Sequence, residues 1–228
     1  MPPAITIGLY FVIFGNLVGR RIGEMGGFQY MEFIVPGLIM MAVIQNSYSN
    51  VVSSFFSHKF QRSVEELLVS PIPNYVILLG FVVGGMARGL AVGAIVTTMS
   101  LFFADLSIHS FPITIAVVLM TSVVFSLAGF INAVFADSFD DISIIPTFVL
   151  TPLIYLGGVF YSIQMLPPFW QVVSGINPIL YMVNTFRYGI LGSSDIDVYW
   201  AFLILSLFIL VLYTSCIWLL RHGTGIRN

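Results

Sequence analysis

Residues 198–220 read VYWAFLILSLFILVLYTSCIWLL, 23 positions without a formal charge, closed by Arg221 and His222. A run of that length suits one helical crossing of the bilayer hydrocarbon, which takes roughly 20 apolar residues. The rest of the chain has the same character. Of its 228 residues 58% are hydrophobic and 8% charged, against roughly 25% charged in soluble domains. The protein is integral to a membrane. It is expected to be all-α, because a helix satisfies its backbone polar groups within its own segment. Five further apolar runs cover 2–18, 33–56, 75–103, 112–135 and 142–161. The sequence therefore predicts six transmembrane helices in one domain, residues 1–228, with no internal repeat and no soluble domain.

The interval 162–197 fits neither a span nor a solvated loop. It is apolar, yet Pro167, Pro168, Gly175 and Pro178 interrupt it, which predicts interfacial or re-entrant short helices. Such backbone must be covered by protein or line a wet cavity, and Trp170, Tyr181 and Tyr188 suit headgroup depth. The first run begins almost at Met1 with Pro2 and Pro3. No basic stretch precedes it as in a signal peptide, so a natural beginning upstream of Met1 is expected. Charge leaves the topology open. With the N-terminus inside, Lys59, Arg62, Arg221 and Arg227 stand on the inner side against Arg20, Arg21 and Arg187 outside.

Several kinds of chemistry are excluded or disfavoured. The net charge of −2 is spread over short loops and forms no basic face for nucleic acid. Cys216 is the single cysteine, so there is no disulfide within the chain and no Cys-based metal site. Lys59, the only lysine, follows His58 rather than glycine, so no phosphate-binding loop exists and any ATP must be bound by a partner. His58, His109 and His222 lie in three separate loops or tails, without zinc spacing. No GxSxG elbow occurs, and no catalytic or metal residue is assigned. Asp137, Asp140 and Asp141 invite a metal reading, but a cap on the fifth helix is the preferred one.

Polar groups inside the runs carry more information. Gly80, Gly84, Gly85, Gly89 and Gly93 make overlapping GxxxG spacings that predict close helix packing, within the chain or between copies. Arg88 sits among them, where a charge costs at least roughly 2.5 kcal/mol. It either lines a pathway for an anionic or polar substrate or bonds to carbonyls as a structural arginine, and the structural role is the preferred reading. No Asp or Glu lies deep in any run, which disfavours a proton-driven carrier. Gln45, Asn46, Ser47, Tyr48, Ser49 and Asn50 give the second run a polar middle, suited to a translocation surface or to interhelical bonding.

Between the second and third runs stands HKFQRSVEELLVSPIP, residues 58–73. Phe60, Val64, Leu67 and Leu68 fall on one helical stripe, Lys59, Arg62, Glu65 and Glu66 lie off it, and Pro71 with Pro73 ends it. This predicts a short amphipathic helix. Its mixed charges suit a protein partner better than anionic lipid.

Three stretches, VEELLVSPIP (64–73), FDDISIIPTFVLTPLIYLGGVFYSIQMLPPFWQ (139–171) and NPILYMVNTFRYGILG (177–192), together resemble the membrane subunits of type-2 ABC exporters, and the likeness covers essentially the whole chain. It implies a bacterial inner-membrane half-transporter with six spans and both termini cytoplasmic. It also implies a second permease copy and separate ATPase subunits, which bind the ATP and Mg while this chain holds no cofactor. Residues 58–70 would be a coupling helix seated on the ATPase, its contacts drawn from His58, Lys59, Arg62, Glu65, Glu66 and Leu67, with Pro71 just beyond. The segment 162–192, with Pro167, Pro168, Asn177, Pro178 and Arg187, would form external re-entrant helices. The family begins with an amphipathic helix before the first span, and its expected place is upstream of Met1. Relatives move drugs, polysaccharides and lipid-linked glycans, so cargo stays open. An ion-coupled carrier and a membrane-integral enzyme or assembly factor are the alternatives.

Overall fold

The computed structural model describes residues 2–64, 66, 70–104, 106–223 and 225, with only the backbone of 2–4, 16–18 and 20. Helix α1 occupies 2–22 as Pro2–Tyr10, a π-helical stretch Phe11–Val18 and a last turn Gly19–Ile22. Strands β1 (Glu24–Met25) and β2 (Phe28–Gln29) form a two-residue antiparallel ribbon around Gly26 and Gly27, both at positive φ. The remaining elements are helical: α2 (Tyr30–Phe60), α3 (Asn74–Ser100), α4 (Phe111–Phe135), α5 (141–156), α6 (Pro168–Ile176), α7 (Pro178–Leu191) and α8 (Val198–His222). The protein is an all-α membrane protein.

Among the described residues three helices, α3, α4 and α8, are long and apolar enough to cross a membrane. Two apolar stretches, Ile5–Gly15 in α1 and Asp141–Leu156, are shorter. At 31 residues α2 is the longest helix, about 46 Å at 1.5 Å per residue, and it carries the polar positions 45–50. It begins at a capping box, with the Gln29 N–H donating to Glu32 Oε2 at 3.2 Å.

Helix α2 is the core of the bundle. Every residue from 33 to 44 is buried, enclosed by α3, α4 and α7. Helix α8 is the opposite case. It turns Leu203, Leu207, Leu210, Val211 and Trp218 outward, a face suited to lipid tails, which are as apolar as leucine.

The fifth run departs from its expected continuity. Helix α5 passes through a π-helical stretch at Pro146–Leu150 and closes at Leu156, before the turn at Gly157 and Gly158. Neither Pro146 nor Pro152 has an N–H to give to the ladder. The Thr151 N–H reaches back to Pro146 O, and the Thr151 hydroxyl donates to the same oxygen at 2.9 Å. Sixteen residues span only about 24 Å, less than the roughly 30 Å hydrocarbon core.

Within 162–197 the chain forms α6 and α7, joined at Asn177. Phe169, Val172 and Ile176 of α6 are exposed, whereas most of α7 is buried. Asn177 fixes the joint: its Oδ1 accepts from the Ile179 N–H at 3.0 Å and its Nδ2 donates to Leu153 O at 2.6 Å. Pro178 then occupies the first turn of α7, where no N–H is needed.

Candidate functional site

The segment after α2 differs from the reading of the sequence. One amphipathic helix was expected over 58–70, with Phe60 on its stripe. Instead His58, Lys59 and Phe60 form the last turn of α2, and the chain breaks at Gln61 and Arg62. Arg62 adopts φ +58, the left-handed region that ends a right-handed helix. Helical geometry resumes at Ser63. His58 Nδ1 lies 2.9 Å from Ser63 Oγ, and that hydroxyl donates to His58 O at 3.2 Å, closing the turn. Phe60 is therefore apart from Val64. It is exposed and packs its ring on Phe56 and Phe139, while Val64 is buried. Glu65, Leu67 and Leu68 lie outside the described residues. Arg62, Glu66 and Pro71 are exposed.

Lys59 differs from its neighbours. Its ammonium donates to Val134 O at 2.8 Å and Ala136 O at 2.7 Å, and lies 3.6 Å from Asp137 Oδ1, with 10% of the side chain exposed. A cation placed on the last carbonyls of a helix satisfies orphan acceptors and complements the dipole. Lys59 thus ties the end of α2 to the end of α4 and is turned into the chain. Beyond it, Asp141 Oδ2 accepts the N–H groups of Asp137 and Ser138 at 3.0 and 2.9 Å, and Ser138 Oγ accepts from the Asp141 N–H at 3.2 Å. This is local capping at the start of α5, and among the described residues no group of three or more His, Cys, Asp or Glu is placed to hold a metal ion.

The second cluster joins α2 and α3. The five glycines divide into two sets. Gly85, Gly89 and Gly93 form the seam: a Cβ at Gly89 would strike the Ser47 side chain, and one at Gly93 would lie 2.7 Å from Val43 Cγ2. Gly80 has nothing within 4 Å, and Gly84 meets only Asn50 Oδ1, at 3.7 Å. These two belong to an open flank of α3, and Arg88, one turn past Gly84, shares it and is exposed. Among the described residues no hydrogen bond or ion pair reaches Arg88.

Across the flank, α2 shows a polar face. Asn46 is buried and donates to Ala42 O at 2.9 Å, whereas Ser49 is exposed and Gln45 and Asn50 are half-buried. Ser53 and Ser57 extend the face by one and two turns, the Ser53 hydroxyl donating to Ser49 O and the Ser57 hydroxyl to Ser53 O. The sequence reading missed both serines, although their i, i+4 spacing from Ser49 was available.

The third cluster lies near the other end of α2. Arg187, expected in an external segment, is 1% exposed, the largest fully buried side chain. Its Nε donates to Phe33 O at 3.2 Å, one Nη to Gly158 O at 2.7 Å and the other to Asn184 Oδ1 at 3.4 Å, and its guanidinium lies 3.9 Å over the Phe33 ring. Asn184 Oδ1 also accepts from the Asp195 N–H at 3.2 Å, and Asp195 Oδ2 accepts from the Ser162 hydroxyl at 2.8 Å and the Ile163 N–H at 3.2 Å. Close backbone approach completes the joint, since a Cβ on Gly37 would lie 2.6 Å from Val159 O. Asn184 and Asp195 were not anticipated. Pro167 and Pro168 stand at the start of exposed α6, away from this network.

Fold and site together define a multi-pass helical membrane domain whose polar groups gather on the α2–α3 flank and at the two ends of α2. A family model described as ABC-2 type transporter matches residues 1–191, and the chain belongs to that family: it is a membrane subunit of an ABC-type transporter. It is 58% identical over its full length to the inner membrane transport permease YadH of Escherichia coli K12, covering 89% of that protein. More distant relatives are the nodulation protein J of Neorhizobium galegae, 24% identical over 94% of this chain and 82% of the relative, and that of Rhizobium meliloti, 23% identical over 83% and 73%.

Proposed function

We propose that the chain is the permease subunit of an ATP-driven exporter in the bacterial inner membrane, with both termini cytoplasmic. Two copies enclose the path, and separate ATPase subunits, which bind ATP and Mg, drive it. The family match over residues 1–191 carries this reading; the name of the E. coli relative, an inner membrane transport permease, supports the inner membrane and the permease role. The six-span count and the external re-entrant pair α6–α7 belong to the same proposal.

The break at Arg62 is the coupling element. Lys59 holds it against α4, and His58, Arg62 and Glu66 are left exposed beside it. An element anchored on one side and charged on the other suits transmission of a push from a docked subunit. The path is lined by Gln45, Ser49, Asn50 and Arg88, with Asn46 behind them. The test is reversal of charge with Glu65→Lys and Glu66→Lys together, followed by co-purification with the cognate ATPase. Membrane insertion should persist while the ATPase is lost; equal recovery of the ATPase and unchanged export overturn the coupling role.

A further inference from the structure

Of the basic side chains Lys59, Arg187 and Arg88, two have acceptors within the chain. Lys59 rests on two carbonyls and Asp137, and Arg187 on two carbonyls and Asn184. Arg88 has none among the described residues. It is the fifteenth of the 27 residues of α3, about 20 Å from either end at 1.5 Å per residue. That is too far for its side chain to reach the interface as it would near a helix end.

A second copy's long apolar helices bring no carboxylate to it. The helices α3, α4 and α8 hold no Asp or Glu, and α2 holds none after Glu32 in its first turn. A second copy that closes the α2–α3 flank brings another Arg88 and raises the positive charge there. The polar groups on the facing stretch of α2, Ser49 and Asn50, are neutral, and Asn50 Oδ1 lies 3.7 Å from the Cβ position of Gly84, one turn before Arg88.

We propose that the α2–α3 flank is an anion site: Arg88 receives a negatively charged group of the cargo, of the phosphate, carboxylate or sulfate class, as it crosses the middle of the membrane. This rests on the reading of the flank as the transport path. It supplies what that reading lacks, a chemical class of substrate. The guanidinium forks toward paired oxygens, and the neutral amide of Asn50 across the flank is a further donor. Away from bulk water such a pairing strengthens.

The test uses the full chain with its ATPase, in neutral phosphatidylcholine vesicles. In a Cys216→Ser background, Asn50→Cys is labelled with a sulfonate-bearing and a trimethylammonium-bearing methanethiosulfonate. The anion-to-cation rate ratio should fall about tenfold on adding Arg88→Gln, the scale of one nearby unit charge at intermediate dielectric. Arg88→Lys should keep most of the preference, which separates charge from loss of fold. Phosphatidylglycerol or inorganic phosphate is then added as competitor. Suppression by the lipid assigns the anion to a headgroup, and suppression by phosphate to a soluble cargo; both uphold the class. A ratio unmoved by Arg88→Gln at a reactive thiol overturns the anion site and leaves the path standing. A thiol unreactive to both reagents overturns the path, and the anion site with it.

Discussion

Arg187 and Arg88 are two arginines of one membrane domain with opposite settlements. Arg187 is sealed among Phe33, Gly158 and Asn184. Arg88 stands on an open flank with no acceptor among the described residues. A buried cation must have its donors satisfied or it carries a penalty of several kcal/mol. Arg187 meets that condition inside the chain, which makes it a joint between α2, α7 and the turn after α5. Arg88 is exposed on the single chain and draws any acceptor from outside it, which makes it a candidate for function.

The largest expected effect comes from breaking the satisfied one. Arg187→Leu leaves Gly158 O and Asn184 without their donor, each at about 1–3 kcal/mol, so the domain should lose about 3 kcal/mol or more and yield little folded protein in a detergent melting experiment. Arg187→Lys should recover only part, since an ammonium cannot match three directions and a ring face. Next is the seam beside Arg88. Gly89→Leu forces α3 from Ser47 and should cost about 2–3 kcal/mol by overpacking, whereas Gly84→Leu, on the open flank, should leave the melting temperature within a degree or two. Lys59→Met removes charged hydrogen bonds from the end of α4 and should cost about 1.5 kcal/mol, read in the same melt. The smallest stability effect is expected at Arg88 itself. Arg88→Gln should melt with the parent protein, and a large loss there would place Arg88 in the same class as Arg187.

Much of the helical plan was legible, because apolar runs and charges mark where helices meet water. The run 112–135 corresponds to Phe111–Phe135, and 75–103 to Asn74–Ser100. What escaped was set by contacts between distant positions. Arg187 meets Phe33 across 154 residues and Lys59 meets Val134 across 75, and no local pattern announces either. The break at Arg62 escaped for another reason. A non-glycine residue at positive φ has no sequence signature, and the stripe through Phe60 and Val64 continued smoothly across it. At α5 the signal was present in Pro146 and Pro152, yet an apolar run of the right length outweighed it. Of the site, the polar middle of α2 and the glycines were visible from composition. Which glycines pack and which stand open depended on the rotation of α3 against α2.

The most direct test of the contrast is the rate at which a membrane-impermeant aqueous thiol reagent labels Arg88→Cys, in a Cys216→Ser background, in membranes holding the permease with its ATPase. Reaction well above that of the parent protein, whose only thiol is the buried Cys216, is the predicted result. Labelling no faster than at Cys216 would mean that position 88 meets lipid or packed protein, and would contradict the account.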